Sequence, residues 1–364
     1  MPANLISYIG GSLFGIIAVT GLLMNFTVLL AMFKGKLFSS KSSPVYILSS
    51  QTITVDSILL LVHLFYQCPS VMLQSNLFPA RLEPAVHTAL NATFMYCWYH
   101  NTLSHILIAI NRSSLAISGE CTRTLHIGQN ISIWYENITR EILGWVAKKP
   151  SVGLCVIVFY RIPIFTRQRT IVLCVLQHLL ALSFSVTSQF LLPCCEFSFS
   201  WVVFSYQYNA KRGIVNYSNK LIDLPLNSSS SLISIAAYSA IIWKMHYSRM
   251  QTKDLERSSA ARLMHKEYRY AIQFASMALV YLLTWTFFRA FPVLIGNTKN
   301  LYVYGVVTIL AEMNMLTNST VYLVNNAEIK KSIRAMISKP AKVNVVSTFE
   351  STMSNVGTTV TASR

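Results

Sequence analysis

The sequence predicts an all-α membrane protein, a bundle of seven transmembrane helices with its N-terminus outside. Two observations lead to this fold class: seven long apolar stretches, and a concentration of Lys and Arg in alternate loops. A helix needs about 20 apolar residues to cross the hydrocarbon core of a bilayer. The seven stretches cover approximately residues 6–33, 45–67, 86–111, 171–193, 220–243, 270–295 and 301–324.

The composition supports this class. Hydrophobic residues make up 53% of the 364-residue chain and charged residues only 12%, whereas soluble domains carry about 25% charged residues. The core helix of a soluble protein can account for one such stretch, but not for seven. The first stretch is too long for the apolar core of a signal peptide, and no Lys or Arg precedes it. We therefore expect it to remain as the first span, and a ligand to bind within the bundle or its short outer loops.

The charge distribution sets the predicted orientation. A formal net charge of +17 would suit a nucleic-acid-binding protein, but 24 of the 30 Lys and Arg residues lie in the loops after spans one, three and five and in the tail. Cytoplasmic loops of membrane proteins carry such an excess. The sequence therefore predicts that these loops and the tail are inside, beside the bilayer, and that no nucleic acid is bound.

Two segments fall outside the spans. We expect residues 1–335 to form the receptor domain and residues 336–364 a disordered, Ser/Thr-rich cytoplasmic tail, which is either phosphorylated or merely solvated. Residues 113–170 form an unusually long inner loop, interpreted as a retained intron in the gene model or as a real insertion. Just after span seven we predict a short amphipathic helix. Its apolar side is formed by Ile329, Ile333 and Met336, and its basic side by Lys330, Lys331 and Arg334.

Polar side chains within the spans are informative, because burying them in a membrane is costly and usually serves a function. They are Asn25 in the first span, Asp56 in the second, Asn101 in the third with Asn111 and Arg112 at its end, and Asn314, Asn318 and Tyr322 in the seventh. This constellation resembles that of the rhodopsin-like G-protein-coupled receptors. Short strings that begin at Ser43, Ala109, Ile164 and Leu192 are similar to those of nematode serpentine chemoreceptors, and the class that the chain most resembles is Srx. The resemblance covers roughly residues 10–112 and 162–335.

The resemblance implies a signalling switch at the G-protein face, formed by Asn111, Arg112, Asn318 and Tyr322. Most such receptors have an acidic residue before the arginine, and Asn111 cannot form an ion pair with Arg112. The inactive state is then held more weakly, or by Glu267. Alternatively, Arg112 is only a snorkelling arginine at a helix end. The usual proline after Asn318 is replaced by Ser319, so we expect a smaller bend in the seventh helix.

The same resemblance places Asp56, Asn25, Asn101, Asn314 and Asn318 in one mid-bundle polar cluster. A buried carboxylate needs hydrogen-bonding partners, or it takes up a proton. Such a cluster either holds water or a sodium ion and repacks on activation, or has a structural role only.

A ligand pocket is predicted in the outer half of the bundle. Arg289 and Glu312 are unusual charges within spans six and seven, and either pair with each other or meet a ligand. The aromatic residues at similar depth are Tyr96, Trp98, Tyr99, His100, Trp285 and Phe288. The alternative is ordinary helix packing. His63, His87, His105 and His178 show no metal-binding spacing, and we expect them to be unconnected.

Other chemistry is limited. Cys68 is expected to reach Cys194 or Cys195 in an outer disulfide, and Asn216 lies in the only clearly external glycosylation sequon. No motif for a metal, a cofactor or catalysis stands out, so an enzyme is not expected. We expect a plasma-membrane receptor that binds a small molecule or peptide and activates a heterotrimeric G protein. The alternatives are a transporter or channel, or a nonfunctional receptor relic.

Overall fold

The structure is a computed structural model that describes residues 5–39, 43–79, 81–126, 165–192, 196–208, 214–251, 259–295 and 301–338. In this part of the chain seven long helices form the bundle, and an eighth, short helix follows them. They are α1 (Leu5–Lys34), α2 (Val45–Leu73), α3 (Glu83–His126), α4 (Arg167–Leu191), α5 (Leu224–Gln251), α6 (Ser259–Ile295), α7 (Gly305–Asn325) and α8 (Ala327–Ser338). The predicted seven-helix bundle is therefore confirmed.

The helix bounds differ from the prediction mainly in α3. This helix continues to His126, so the first part of the segment 113–170 is helical and not a loop. Residues 127–164 and 339–364, which hold most of the predicted inner loop and the tail, lie outside the described residues.

Apolar side chains cover the outer surface of the bundle. In α1, for example, Ile9, Ile16, Leu23 and Phe26 are exposed while Gly11, Ala18 and Asn25 are buried. A soluble protein rarely exposes so wide an apolar surface. Among the described residues, four helices are long and apolar enough by themselves to cross a membrane: Leu5–Lys34, Val45–Leu73, Arg167–Leu191 and Ile272–Phe291.

The remaining bundle helices are more polar because they occupy its interior. α3 packs against α2, α4, α5 and α6, and α7 packs against α1, α2 and α6. Their inward faces carry buried polar residues such as Asn101 and Glu312. Two apolar cores fill the bundle, one at each end. We call these ends the hairpin end, which includes the start of α1, and the α8 end.

A π-helical turn interrupts α2 at His63–Gln67. Pro69 follows it, and a proline ring clashes with the carbonyl of the residue four positions before it. The helix therefore widens, and the backbone N–H of Cys68 bonds to the carbonyl of His63. Such turns are frequent at functional sites, and this one brings His63 into the interior.

A β-hairpin closes one end of the bundle, which the all-α prediction missed. β1 (Phe197–Ser200) pairs antiparallel with β2 (Ser205–Tyr208), with Phe199 opposite Tyr206. Phe204 adopts φ of 57° at the turn, a costly conformation for a residue with a side chain. Its carbonyl accepts a 2.8 Å bond from Thr308 of α7, and its ring lies 3.1 Å from where a Cβ on Gly10 would stand.

The predicted amphipathic helix is α8. Asn326 caps it, since its Oδ1 accepts the backbone N–H groups of Glu328 and Ile329 at 3.0 and 3.1 Å. Ile329 is fully buried, and the Ser332 hydroxyl donates to the carbonyl of Ala31 at 2.7 Å. These contacts fix α8 against the end of α1.

Candidate functional site

A cavity lies beneath the hairpin, between α2, α3, α6 and α7. Its volume is about 30 Å³, which gives room for about two water molecules. The wall combines aromatic and aliphatic side chains with a few polar groups. It is formed by His63, Phe94, Met95, Trp98, Phe197, Ser205, Tyr206, Tyr208, Asp223, Thr284, Phe288, Val307, Thr308 and Ala311.

The first charged group on this wall is Asp223, in the π-helical turn Ser218–Asp223 that precedes α5. Arg289 of α6 donates to it at 2.6 Å and also to Asn219. Asn227, one turn later, donates to the other carboxylate oxygen at 2.7 Å. Asp223 is therefore paired with a cation and hydrogen-bonded at both oxygens, which is how a protein retains a buried charge.

The second charged group is a pair that joins α2 to α7. His63 Nδ1 lies 2.9 Å from Glu312 Oε1, and both side chains are almost completely buried. The His63 ring stacks on Phe94 with 6.1 Å between centroids. Only His63 of the pair reaches the cavity wall.

These contacts correct the predicted pocket. Arg289 and Glu312 do not pair with each other: each has its own partner, Asp223 and His63. Of the predicted lining residues only Trp98 and Phe288 face the cavity. Tyr99 is fully buried towards α4, where its hydroxyl donates to Ser188 at 3.4 Å. Trp285 lies beside Arg289, and its ring centroid is 5.7 Å from the central carbon of the Arg289 guanidinium.

Two other predicted aromatic residues lie at the α3–α4 contact. Tyr96 is hydrogen-bonded to His178 at 2.7 Å, and His100 stacks on His178 with 4.5 Å between ring centroids. Gln177 of α4 bonds to the His100 carbonyl at 2.9 Å. His178 thus contacts Tyr96 and His100, and His63 contacts Glu312, none of which the sequence predicted. A histidine within an apolar span is itself the signal for such contacts.

The hairpin that covers the cavity is tied to three helices. The Phe199 backbone bonds to Asn91 and His87 of α3, and the Phe197 carbonyl accepts from Gln189 of α4. The third tie is the bond from Thr308 of α7 to the Phe204 carbonyl. Displacing the hairpin therefore requires hydrogen bonds to all three helices to break.

The mid-bundle cluster brings together most of the predicted residues. Asp56 is fully buried and accepts from Asn101 of α3 at 2.6 Å and from Asn318 of α7 at 2.7 Å. Its two oxygens thus link α2, α3 and α7. Asn314 is buried one turn before Asn318 on the same helix.

Asn25 forms a separate part of this cluster. It donates to Ser57 of α2 at 3.1 Å, and the Ser319 hydroxyl donates to its Oδ1. Ser319 therefore connects α7 to α1. The residue that replaces the usual proline thus gives α7 an additional cross-helix bond.

At the α8 end, the Arg112 guanidinium lies over the Phe274 ring of α6 at 4.3 Å from the centroid. Phe274 contacts Tyr322 edge to face at 6.1 Å, and the Tyr322 hydroxyl is hydrogen-bonded to Ser49 of α2. Asn111 is fully buried, with neither side-chain polar atom hydrogen-bonded among the described residues. A cation–π contact therefore connects α3 to α6 here; the side chain of Glu267 lies outside the described residues.

Two further predictions concern the hairpin end. Cys68 is buried and faces Gly15 of α1, 4.0 Å from where a Cβ there would stand, and its disulfide stays a prediction. Cys194 and Cys195 lie outside the described residues. Asn216 accepts the Asn219 backbone N–H at 2.9 Å and caps the turn before α5; its glycosylation stays a prediction.

Comparison with known proteins adds two findings. Residues 16–117 match the family model described as serpentine type 7TM GPCR chemoreceptor Srx. The structure is similar to the crystal structure of squid rhodopsin, with a TM-score of 0.64 and 15% identity over 91% of this chain and 80% of that one. No curated protein matches the chain. The first three helices are thus similar to the serpentine chemoreceptors of the Srx class, and the whole bundle has a rhodopsin-like seven-helix fold.

Proposed function

We propose that this receptor sits in the plasma membrane with its N-terminus outside, binds an external small molecule in the cavity beneath the hairpin, and activates a heterotrimeric G protein at the α8 end. The orientation is supported by the excess of Lys and Arg in loops that lie at the α8 end. In this role the protein catalyses no reaction.

The observation that carries the proposal is the series of buried polar contacts leading inward from the cavity wall. Asp223 bonds to Asn227, whose Oδ1 accepts from Tyr281 of α6 at 2.6 Å and from Thr102 of α3 at 3.0 Å. A ligand that shifts Asp223 or Arg289 therefore perturbs the contact between α3 and α6. Such a ligand changes the receptor's state only if it binds the two states with different affinity.

The output side rests on the contacts of Arg112. Its guanidinium packs on Phe274 of α6, so an outward movement of α6 separates the two groups and opens the α8 end. In the inactive state this contact contributes roughly 0.5–2 kcal/mol.

The test is second-messenger output in cells that express the full chain with a promiscuous Gα subunit, during a screen of small organic compounds. We expect agonist-dependent output that Arg112→Ala abolishes at unchanged surface level. Arg81→Ala, at an exposed site near the hairpin end, is the matched control. Uptake of a compound without second-messenger output would contradict the proposal and favour a transporter.

A further inference from the structure

Two polar atoms on the cavity wall are buried and have no hydrogen-bond partner among the described residues. They are Nε2 of His63 and the hydroxyl oxygen of Tyr206. The two residues are 0% and 6% exposed. Buried polar atoms are nearly always hydrogen-bonded, because an unsatisfied one loses its hydrogen bonds to water without replacement.

The other charged group of the wall differs in this respect. Asp223 accepts hydrogen bonds from Arg289 and Asn227, one at each carboxylate oxygen. Each of its oxygens therefore already has a donor within the protein. A ligand in the cavity finds its free hydrogen-bonding groups at His63 and Tyr206.

Both of these groups are donors. Burial holds the pKa of the Tyr206 phenol well above its usual value, so this residue keeps its proton. For His63 the argument is one of net charge, because a buried pair that carries a net charge is strongly disfavoured. A neutral His63–Glu312 pair is either imidazolium with carboxylate, or imidazole with a carboxylic acid that donates to Nδ1. In both forms the remaining nitrogen, Nε2, carries a hydrogen.

The two donors lie close together. The His63 and Tyr206 ring centroids are 6.3 Å apart, and the Tyr206 ring packs against Phe94 at 3.8 Å and Phe197 at 5.5 Å. Most of the remaining wall is aromatic or aliphatic, and the hydroxyls of Thr284 and Thr308 donate to backbone carbonyls. The cavity therefore offers two hydrogen-bond donors in an apolar surrounding.

We propose, on the basis of the proposed function, that the cavity takes a small uncharged carbonyl compound, namely a ketone, aldehyde or ester, whose oxygen accepts hydrogen bonds from His63 and Tyr206. A carboxylate is excluded because it would bring an unpaired negative charge into a buried cavity where Asp223 and Glu312 already have their partners.

The two donors lie on different parts of the fold. Tyr206 lies on the hairpin and His63 on α2. A carbonyl oxygen that accepts from both therefore connects the hairpin to α2.

The experiment uses the purified full chain in lipid nanodiscs and follows the thermal unfolding midpoint as the concentration of 2-butanone rises. The matched probe is 2-methyl-1-butene, in which a methylene group replaces the carbonyl oxygen. Tyr206→Phe removes one donor and keeps the ring. Tyr66→Phe is the control, since Tyr66 contacts Phe199 of the hairpin edge to face but does not line the cavity.

We expect 2-butanone to stabilise the receptor with a half-saturating concentration at least tenfold lower than that of the hydrocarbon. Tyr206→Phe raises this concentration for 2-butanone by about tenfold, as the loss of one hydrogen bond predicts, and leaves the hydrocarbon unaffected. Tyr66→Phe changes neither value.

Three results would overturn the proposal: equal stabilisation by ketone and hydrocarbon, no effect of Tyr206→Phe, or no stabilisation by 2-butanone, butanal and methyl acetate alike. The proposed function is tested separately, by second-messenger output. If amines or hydrocarbons produce that output and Ala311→Phe, which fills the cavity, blocks it, the receptor function stands and only the carbonyl class is wrong.

Discussion

The pair between Asp223 and Arg289 provides the sharpest test of how the structure is stabilised. Arg289→Met keeps the length of the side chain but removes the cation that lies 2.6 Å from Asp223. Asp223 is 3% exposed and Arg289 23%. The variant therefore leaves a buried carboxylate without its counter-ion.

The expected loss follows from these values. Removing one partner of a buried ion pair costs about 3–5 kcal/mol. We expect about 3 kcal/mol, the lower end of that range, because Arg289 is partly exposed and Asn227 still donates to Asp223 at 2.7 Å. Replacing both members, in Asp223→Asn/Arg289→Met, removes the uncompensated charge and recovers about 2 kcal/mol.

The assay is equilibrium unfolding of the purified receptor in mixed micelles, with both single variants and the double variant measured in the same lipid. Arg81→Met, the same change at an exposed arginine, is the control and should stay within about 0.5 kcal/mol of the parent protein. The reasoning is refuted if Arg289→Met is no more destabilising than the control, or if the two single losses simply add in the double variant.

Three further predictions concern the middle and the ends of the bundle. Asp56→Asn places an amide NH2 group, a donor, opposite the two amide donors Asn101 and Asn318. We therefore expect about 1–3 kcal/mol of destabilisation and a fall in second-messenger output. Unchanged output at an unchanged surface level would contradict a role for the cluster. Gly11→Ala should lower the unfolding midpoint, because the new Cβ would lie 2.9 Å from the Cys68 carbonyl oxygen of α2. Gly15→Ala is the control, since its Cβ would have no neighbour closer than 4.0 Å. Equal effects of the two substitutions would argue against this packing. Tyr322→Phe and Ser49→Ala should each cost about 1 kcal/mol of unfolding free energy. The double variant should lose no more than either single variant, because both remove the same hydrogen bond. Additive losses in the same unfolding assay would show that the two residues do not interact.

The sequence predicted the helices well because each one depends on a local property. A span needs an uninterrupted run of apolar residues, and α8 needs an apolar face such as that of Ile329 and Ile333. Neither requirement involves a distant part of the chain. The Asp56 cluster was also within reach, since a charge in mid-span must be matched by polar groups at the same depth, and the resemblance to rhodopsin-like receptors supplied Asn101 and Asn318.

The sequence missed Asp223, although it is the counter-ion of Arg289. Its position at the start of a span is compatible with a carboxylate in water, and nothing local shows that it is buried. A weaker signal was present in Asn227, which lies one turn later and so shares a helix face with Asp223. The hairpin was missed for a different reason: its strands have only four residues each, too few for an alternating pattern to stand out.

The sequence by itself thus determined that this chain spans the membrane with seven helices, and which polar residues lie inside them. Only the tertiary structure decided which of those residues meet. His63 and Glu312 are 249 positions apart in the chain, and Arg289 and Asp223 are 66 apart. The physical reason is that an apolar side chain can be buried against lipid or against any apolar neighbour. A buried charge is stabilised only by a particular partner at hydrogen-bonding distance, and how the helices pack decides where that partner lies.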